Sequence, residues 1–426
     1  MNFILKGHIF YSTGRHSTRS VENGYLICRE GISRGVFTEL PRAYASAPVR
    51  DFGNRLIIPG FTDLHLHGPQ FAFRGLGMDL ELLDWLNTQT FPEEARYRDA
   101  DYAQRAYCQF VQELKRSFTT RAVIFATAHT EATLRLMDLL DETGLVTYVG
   151  RVNMDRNGPD SLREPSAAWS LEQTRSWLEQ TSRHTRTKPI LTPRFVPSCT
   201  ASLLEGLGKL AHEKGLPVQS HLSENLDELE LVKSLHPDAA CYGSVYDRFG
   251  LLDAPGGCIM AHCVHSSEPE LSLLKDQGVY IAHSPESNWN LRSGAAPVYR
   301  YLDLGLRVGL ASDLAAGSTL NLMRTIGHAI VASKLRWRLL DQSVLPLDFD
   351  QAFYLATLGG GSFFGQVGSF EPGFQLDALV LDDSLYPTSL ELSIHDRVER
   401  LAYLADDRCI TAKFTAGRSI LDGAPQ

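Results

Sequence analysis

The chain has 426 residues, 43% of them hydrophobic, with a formal net charge of −9 and a pI near 5.9. That acid balance argues against nucleic acid as a partner, because binding phosphates needs a basic face. No stretch is long and apolar enough to span a membrane, and Met1-Asn2-Phe3-Ile4-Leu5-Lys6-Gly7-His8 lacks the charged start and small-residue cleavage site of a signal peptide.

Residues 1–55 carry short alternating stretches such as Gly24-Tyr25-Leu26-Ile27-Cys28. An apolar run follows, from Leu56 through Pro59-Gly60 to Leu64, and reads as one buried strand. It leads into His65-Leu66-His67. Histidines at i and i+2 on a strand point to the same side, and two neutral imidazoles at a strand end can hold a divalent metal. For a lone pair, core or surface histidines are the plainer account. The rest of the chain changes that.

Seven further apolar stretches follow: 121–128, 145–149, 189–195, 217–221, 257–262, 279–283 and 306–313. Near-continuous apolar strands suit a parallel sheet buried on both faces. Helical patterns lie between them. Glu131–Leu140 stops near Gly144, Ala201–Ala211 near Gly215 and Glu268–Lys275 near Gly278, and glycine just past the last turn is the expected stop signal. Residues 153–186 read as loop plus one helix. The acidic run Asp227-Glu228-Leu229-Glu230 reads as a solvated helix face. Alternating elements of this kind predict a (β/α)8 TIM barrel, residues 56–365, with catalytic groups at the C-terminal ends of its strands. His221, His262 and Asp313 fall there. The stretches Ala378–Leu381 and Ile410–Gly417 resemble the N-terminal ones in style, so residues 1–55 and 366–426 are expected to pair into one small β-domain.

Seven scattered cysteines, with no Cys-x-x-Cys, point to a reducing cytoplasm rather than a disulfide framework. Cys258 and Cys263 flank His262, but no second pair completes a zinc knuckle, and buried thiols are the better reading. Trp85 and Phe73 read as core.

The blocks Pro59-Gly60-Phe61-Thr62-Asp63-Leu64-His65-Leu66-His67, Pro193-Arg194-Phe195-Val196-Pro197, Gln219-Ser220-His221-Leu222-Ser223-Glu224-Asn225, Met260-Ala261-His262, His283-Ser284-Pro285-Glu286-Ser287-Asn288 and Ala311-Ser312-Asp313 resemble the amidohydrolase superfamily and, within it, the guanine deaminases. The resemblance runs nearly end to end. It implies one Zn2+ per chain on His65, His67, His221 and Asp313, and catalytic roles for Glu224 as proton shuttle, His262 as water-orienting group or weak metal ligand, and Asp313. It implies substrate contacts from Gln70, Arg194, Phe195 and His221, and loss of ammonia from guanine to give xanthine. A homodimer acting on a small purine base is implied too. Lys188 stands at the start of its strand, the wrong end to carboxylate and bridge two metals. Gly68-Pro69, Glu286, Ser312 and Ala315-Ala316 depart from the family's usual residues. A deaminase of a related amino-heterocycle (8-oxoguanine, another aminopurine, an amino-triazine) and, in a different class, a catalytically inactive scaffold remain alternatives at this point.

Overall fold

The computed structural model describes residues 2–422. Strands β1 (Asn2–Gly14), β2 (Ser17–Arg29), β3 (Ile32–Phe37) and β4 (Val49–Pro59) form one side of a seven-stranded sheet. Its other side comes from the far end of the chain. In between runs the barrel: β5 (Phe61–His67), β6 (Thr119–Phe125), β7 (Val146–Gly150), β8 (Val152–Asn153), β9 (Thr187–Pro189), β10 (Thr192–Pro193), β11 (Val218–Leu222), β12 (Cys258–His262), β13 (Tyr280–His283) and β14 (Arg307–Leu310).

Two parallel sheets, β5-β6-β7-β9 and β11-β12-β13-β14, make the barrel wall. Hydrogen bonds close the ring on both sides. Leu191, between β9 and β10, donates to Pro217 O at 2.9 Å and accepts from Gln219 N at 2.9 Å. Asp313 N donates to His65 O at 2.9 Å, and His67 N to Leu314 O at 3.1 Å. The bottom of the interior is filled by Leu64, Val123, Ile190, Ile259, Ala261, Tyr280, Ala282 and Ala311, so it is a packed core and not a channel. The helices stop as expected: Thr130–Thr143 at Gly144 (φ 85°) and Ala201–Lys214 at Gly215 (φ 66°).

Strands β15 (Ala378–Leu381), β16 (Ile410–Thr415) and β17 (Arg418–Asp422) complete the terminal sheet, in the order β17-β16-β15-β4-β1-β2-β3. β15 pairs antiparallel with β4, Leu56 opposite Leu381 and Pro59 opposite Ala378. A buried ion pair anchors sheet to barrel: Arg121 Nε donates to Asp377 Oδ2 at 2.7 Å.

One sequence expectation needs correction. The apolar run 56–64 is two strands, not one. Leu56–Pro59 belong to the terminal sheet and Phe61 onward to the barrel. Hydrophobicity is equal on both sides because both halves are buried, Leu56, Ile58 and Phe61 in one shared cluster. Gly60 makes the break, and a Cβ there would lie 2.2 Å from Thr120 Cγ2 and 2.4 Å from its Oγ1. Gly60→Ala is therefore expected to cost about 1–3 kcal/mol of stability through overpacking. A lower urea midpoint with an unchanged slope would show it, and an unchanged midpoint would contradict the tight approach.

Candidate active site

The C-terminal ends of β5, β11 and β12 and the turn after β14 bring His65, His67, His221, His262 and Asp313 together. His65 Nε2 lies 3.2 Å and His67 Nε2 3.5 Å from Asp313 Oδ1. His67 Nε2 and His221 Nε2 are 3.3 Å apart. His262 Nε2 sits 3.8 Å from Asp313 Oδ2 and 3.5 Å from Glu224 Oε2. All of these side chains are buried except His221, which is half-buried. The backbone is bent to aim them: His262 (φ 72°) and Asp313 (φ 47°) both hold the left-handed region, a conformation that clusters at functional sites.

Neighbouring groups set the tautomers. His221 Nδ1–H donates to Arg194 O at 2.7 Å, leaving Nε2 as the free lone pair. His262 Nδ1–H donates to Asn288 Oδ1 at 2.9 Å, with the same result. Burial pushes His65 down and pushes His67 and His221 well below the usual imidazole range, so these rings are neutral, as ligands must be. Burial works against the Asp313 carboxylate, but the rings of His65, His262 and His67 outweigh it and hold the group well below its ordinary range. Burial, then Asp313 and Glu228, push Glu224 well above the usual carboxyl range.

The donor set fits a metal. Nε2 of His65 and of His262 are buried and have no hydrogen-bond partner, although both lie close to the Asp313 carboxylate. His65, His67 and Asp313, and again His65, His221 and His262, place ligand atoms within 4.8 Å of one another. Imidazoles with one carboxylate, leaving a position open, are a zinc-type donor set.

A cavity of about 400 Å³ opens beside this cluster. His67, His221, Glu224, His262 and Asp313 line one side, and Gln70, Arg194 and Phe195 line another. Leu82, Trp85, Leu86 and Leu291 supply apolar walls. Trp85 is thus more than core; Phe73 packs behind it, ring centroids 5.5 Å apart.

Two buried carboxylates escaped the sequence reading. Glu228 is not on a solvated face. It is 1% exposed, accepts from Glu224 N at 2.9 Å and takes the Tyr242 hydroxyl at 2.9 Å. The acidic run hid it, because its neighbours Asp227 and Glu230 do face water and only the capping box at Asn225 hinted otherwise. Glu94 is also 1% exposed and takes Arg194 Nη1 at 2.6 Å. Nothing in Phe91-Pro92-Glu93-Glu94 marks it. Among the departures from the family pattern, Ser312 gives both N and Oγ to Asp63, at 3.0 and 2.6 Å, tying the first barrel strand to the last. Lys188 is exposed on β9, away from the cluster. All seven cysteines are free, and no helix among the described residues is long and apolar enough to cross a membrane.

A profile of the amidohydrolase family matches residues 56–420. Guanine deaminase of Dictyostelium discoideum is 37% identical over 381 residues, 87% of this chain and 84% of that protein. Guanine deaminase of Escherichia coli K12 is 33% identical, covering 95% and 92%. The crystal structure of guanine deaminase from C. acetobutylicum with guanine bound in its active site superposes with a TM-score of 0.95 at 45% identity, covering 99% of this chain and all of the other.

Proposed function

From the premise that this chain belongs to the amidohydrolase family, we propose that it hydrolyses guanine to xanthine and ammonia. The observation that carries this reading is the shared cavity: a metal-type donor set, the buried carboxyl group of Glu224 and a donor-bearing Arg194 and Gln70 pair all face one space. The 45% identity and near-complete overlap with a guanine-bound guanine deaminase support it.

His65, His67, His221 and Asp313 would hold one Zn2+ per chain. The metal, when bound, lowers the pKa of a water from about 15.7 to about 7 and so supplies a nucleophile at neutral pH. The chain's own residues do the rest. Arg194 and Gln70 hold the purine edge so that C2 faces the open position, with Phe195 and Trp85 against the ring. His262 Nε2, its tautomer set by Asn288, orients the attacking water from the side. Glu224 Oε1 is buried and unpartnered, so it is free to take the water's proton. It passes that proton to ring N3 and the second to the departing amine. Water adds to C2, the C2–N bond breaks, and ammonia leaves. Leu82, Leu86 and Leu291 exclude bulk water from these transfers.

An enzyme of the cytoplasm, assembled as a homodimer, completes the proposal; the seven free thiols support the compartment. The division into a catalytic barrel, starting at Phe61 rather than at residue 56 and running to about residue 365, and a terminal β-unit is part of the same reading. The test is elemental analysis together with an ammonia-release assay. About one zinc per chain and xanthine formed from guanine are expected. Two tightly held metals, or full activity in metal-free protein, would overturn the single-site reading.

A further inference from the structure

We propose that Glu94 is a positioning residue that dictates which hydrogen-bonding pattern the cavity offers its substrate, and so selects an exocyclic carbonyl oxygen over an exocyclic amine opposite Arg194. The inference rests on the guanine reading above and deepens it. Glu94 does not line the cavity. It lies behind, and acts through Arg194 and Gln70.

The geometry is specific. Glu94 Oε2 accepts from Arg194 Nη1 at 2.6 Å and Oε1 from Nη2 at 3.2 Å, a two-point clamp on the guanidinium. Oε1 also accepts from Gln70 Nε2 at 3.0 Å. An ionised carboxylate accepts only, so Gln70 has to turn its NH2 toward Glu94. Its Oε1 then faces the other way, where Ala315 N donates to it at 3.4 Å. Flipping the amide would set oxygen against carboxylate and NH2 against N–H. Glu94 thereby decides the orientation of an amide that could otherwise read either pattern. It also keeps Arg194 flat over Phe91, 5.0 Å from the ring centroid, with its remaining N–H groups free for the cavity. Arg194 can only donate. A carbonyl oxygen on the purine meets it well, and an amine does not.

Glu94→Gln keeps the shape but removes the charge. The new amide can donate as well as accept, so it no longer forces Gln70 into one orientation and no longer clamps Arg194. The decisive pair of substrates is guanine and 2,6-diaminopurine, which share the leaving amine at C2 and differ in oxygen versus amine at C6 and, with it, in whether N1 carries a hydrogen. In Glu94→Gln, KM for guanine should rise about tenfold or more with kcat changed less than about threefold. The kcat/KM ratio of 2,6-diaminopurine to guanine should rise about tenfold or more. Metal content should match wild type. Glu94→Asp, which keeps the charge one methylene back, should fall between. A purely structural Glu94 would lower the active fraction, and with it kcat, while leaving KM and the substrate ratio alone. Folded, metal-loaded Glu94→Gln with wild-type KM and ratio overturns the proposal. If Glu94→Gln does not fold, Glu94→Asp is read by the same two numbers, and wild-type values there overturn it equally. A wild-type enzyme that releases no ammonia from guanine defeats the guanine reading instead, and Glu94 is then judged by the KM shift on whichever substrate is turned over.

Discussion

Glu224→Gln is expected to lower turnover by roughly 10²–10⁴, the usual worth of a positioned acid-base group, while the metal stays bound. The amide fills the same volume but cannot take a proton from water. The carboxyl it replaces is 3% exposed, its Oε2 stands 3.5 Å from His262 Nε2, and its Oε1 has no partner. Its backbone N–H is held by Glu228, so the side chain is aimed before substrate arrives. His65, His67, His221 and Asp313 are untouched by the change. KM for guanine should therefore move much less than kcat. A helix-start glutamate with no part in the chemistry would behave differently, giving near-normal turnover and a small loss of stability. Zinc content and ammonia release measured on one preparation separate the two. A zinc-loaded variant turning over like wild type removes Glu224 from the mechanism.

Guanine should be preferred over adenine by a kcat/KM ratio on the order of 10⁴, the discrimination reached when a site built for polar complementarity is left unpaired. Adenine fails twice. It carries no amine at C2 to lose, and it sets an amine where guanine offers oxygen to Arg194. To expose C6 to the open position it must turn in the cavity, and then Arg194 and Gln70 lose their partners. Both are buried, at 2% and 1% exposure, so water does not replace what is lost. Competition assays with the two bases in one vessel give the ratio directly. Adenine, or an amino-triazine, as the better substrate would end the guanine assignment and leave a deaminase of another amino-heterocycle in its place.

The sequence by itself determined the barrel and most of its mouth. Eight apolar stretches are legible because strands buried on both faces have no polar alternation to confuse them, and glycines at 144, 215 and 278 punctuate the helices between. The resemblance then singled out His65, His67, His221, Glu224, His262 and Asp313 as the set to examine, and these residues stand at or just past the C-terminal ends of those strands. It also picked out Arg194 and Gln70. Tertiary structure decided what pattern cannot express. Leu56–Leu64 reads as one run, yet Gly60 divides it between two sheets, because hydrophobicity records burial and not which strand a residue pairs with. Glu228 and Glu94 look like surface acids until the fold buries them, Glu228 against Tyr242, 14 residues on, and Glu94 against Arg194, 100 residues away. A carboxylate's solvation is set by neighbours that arrive from elsewhere, so its role is invisible in local sequence.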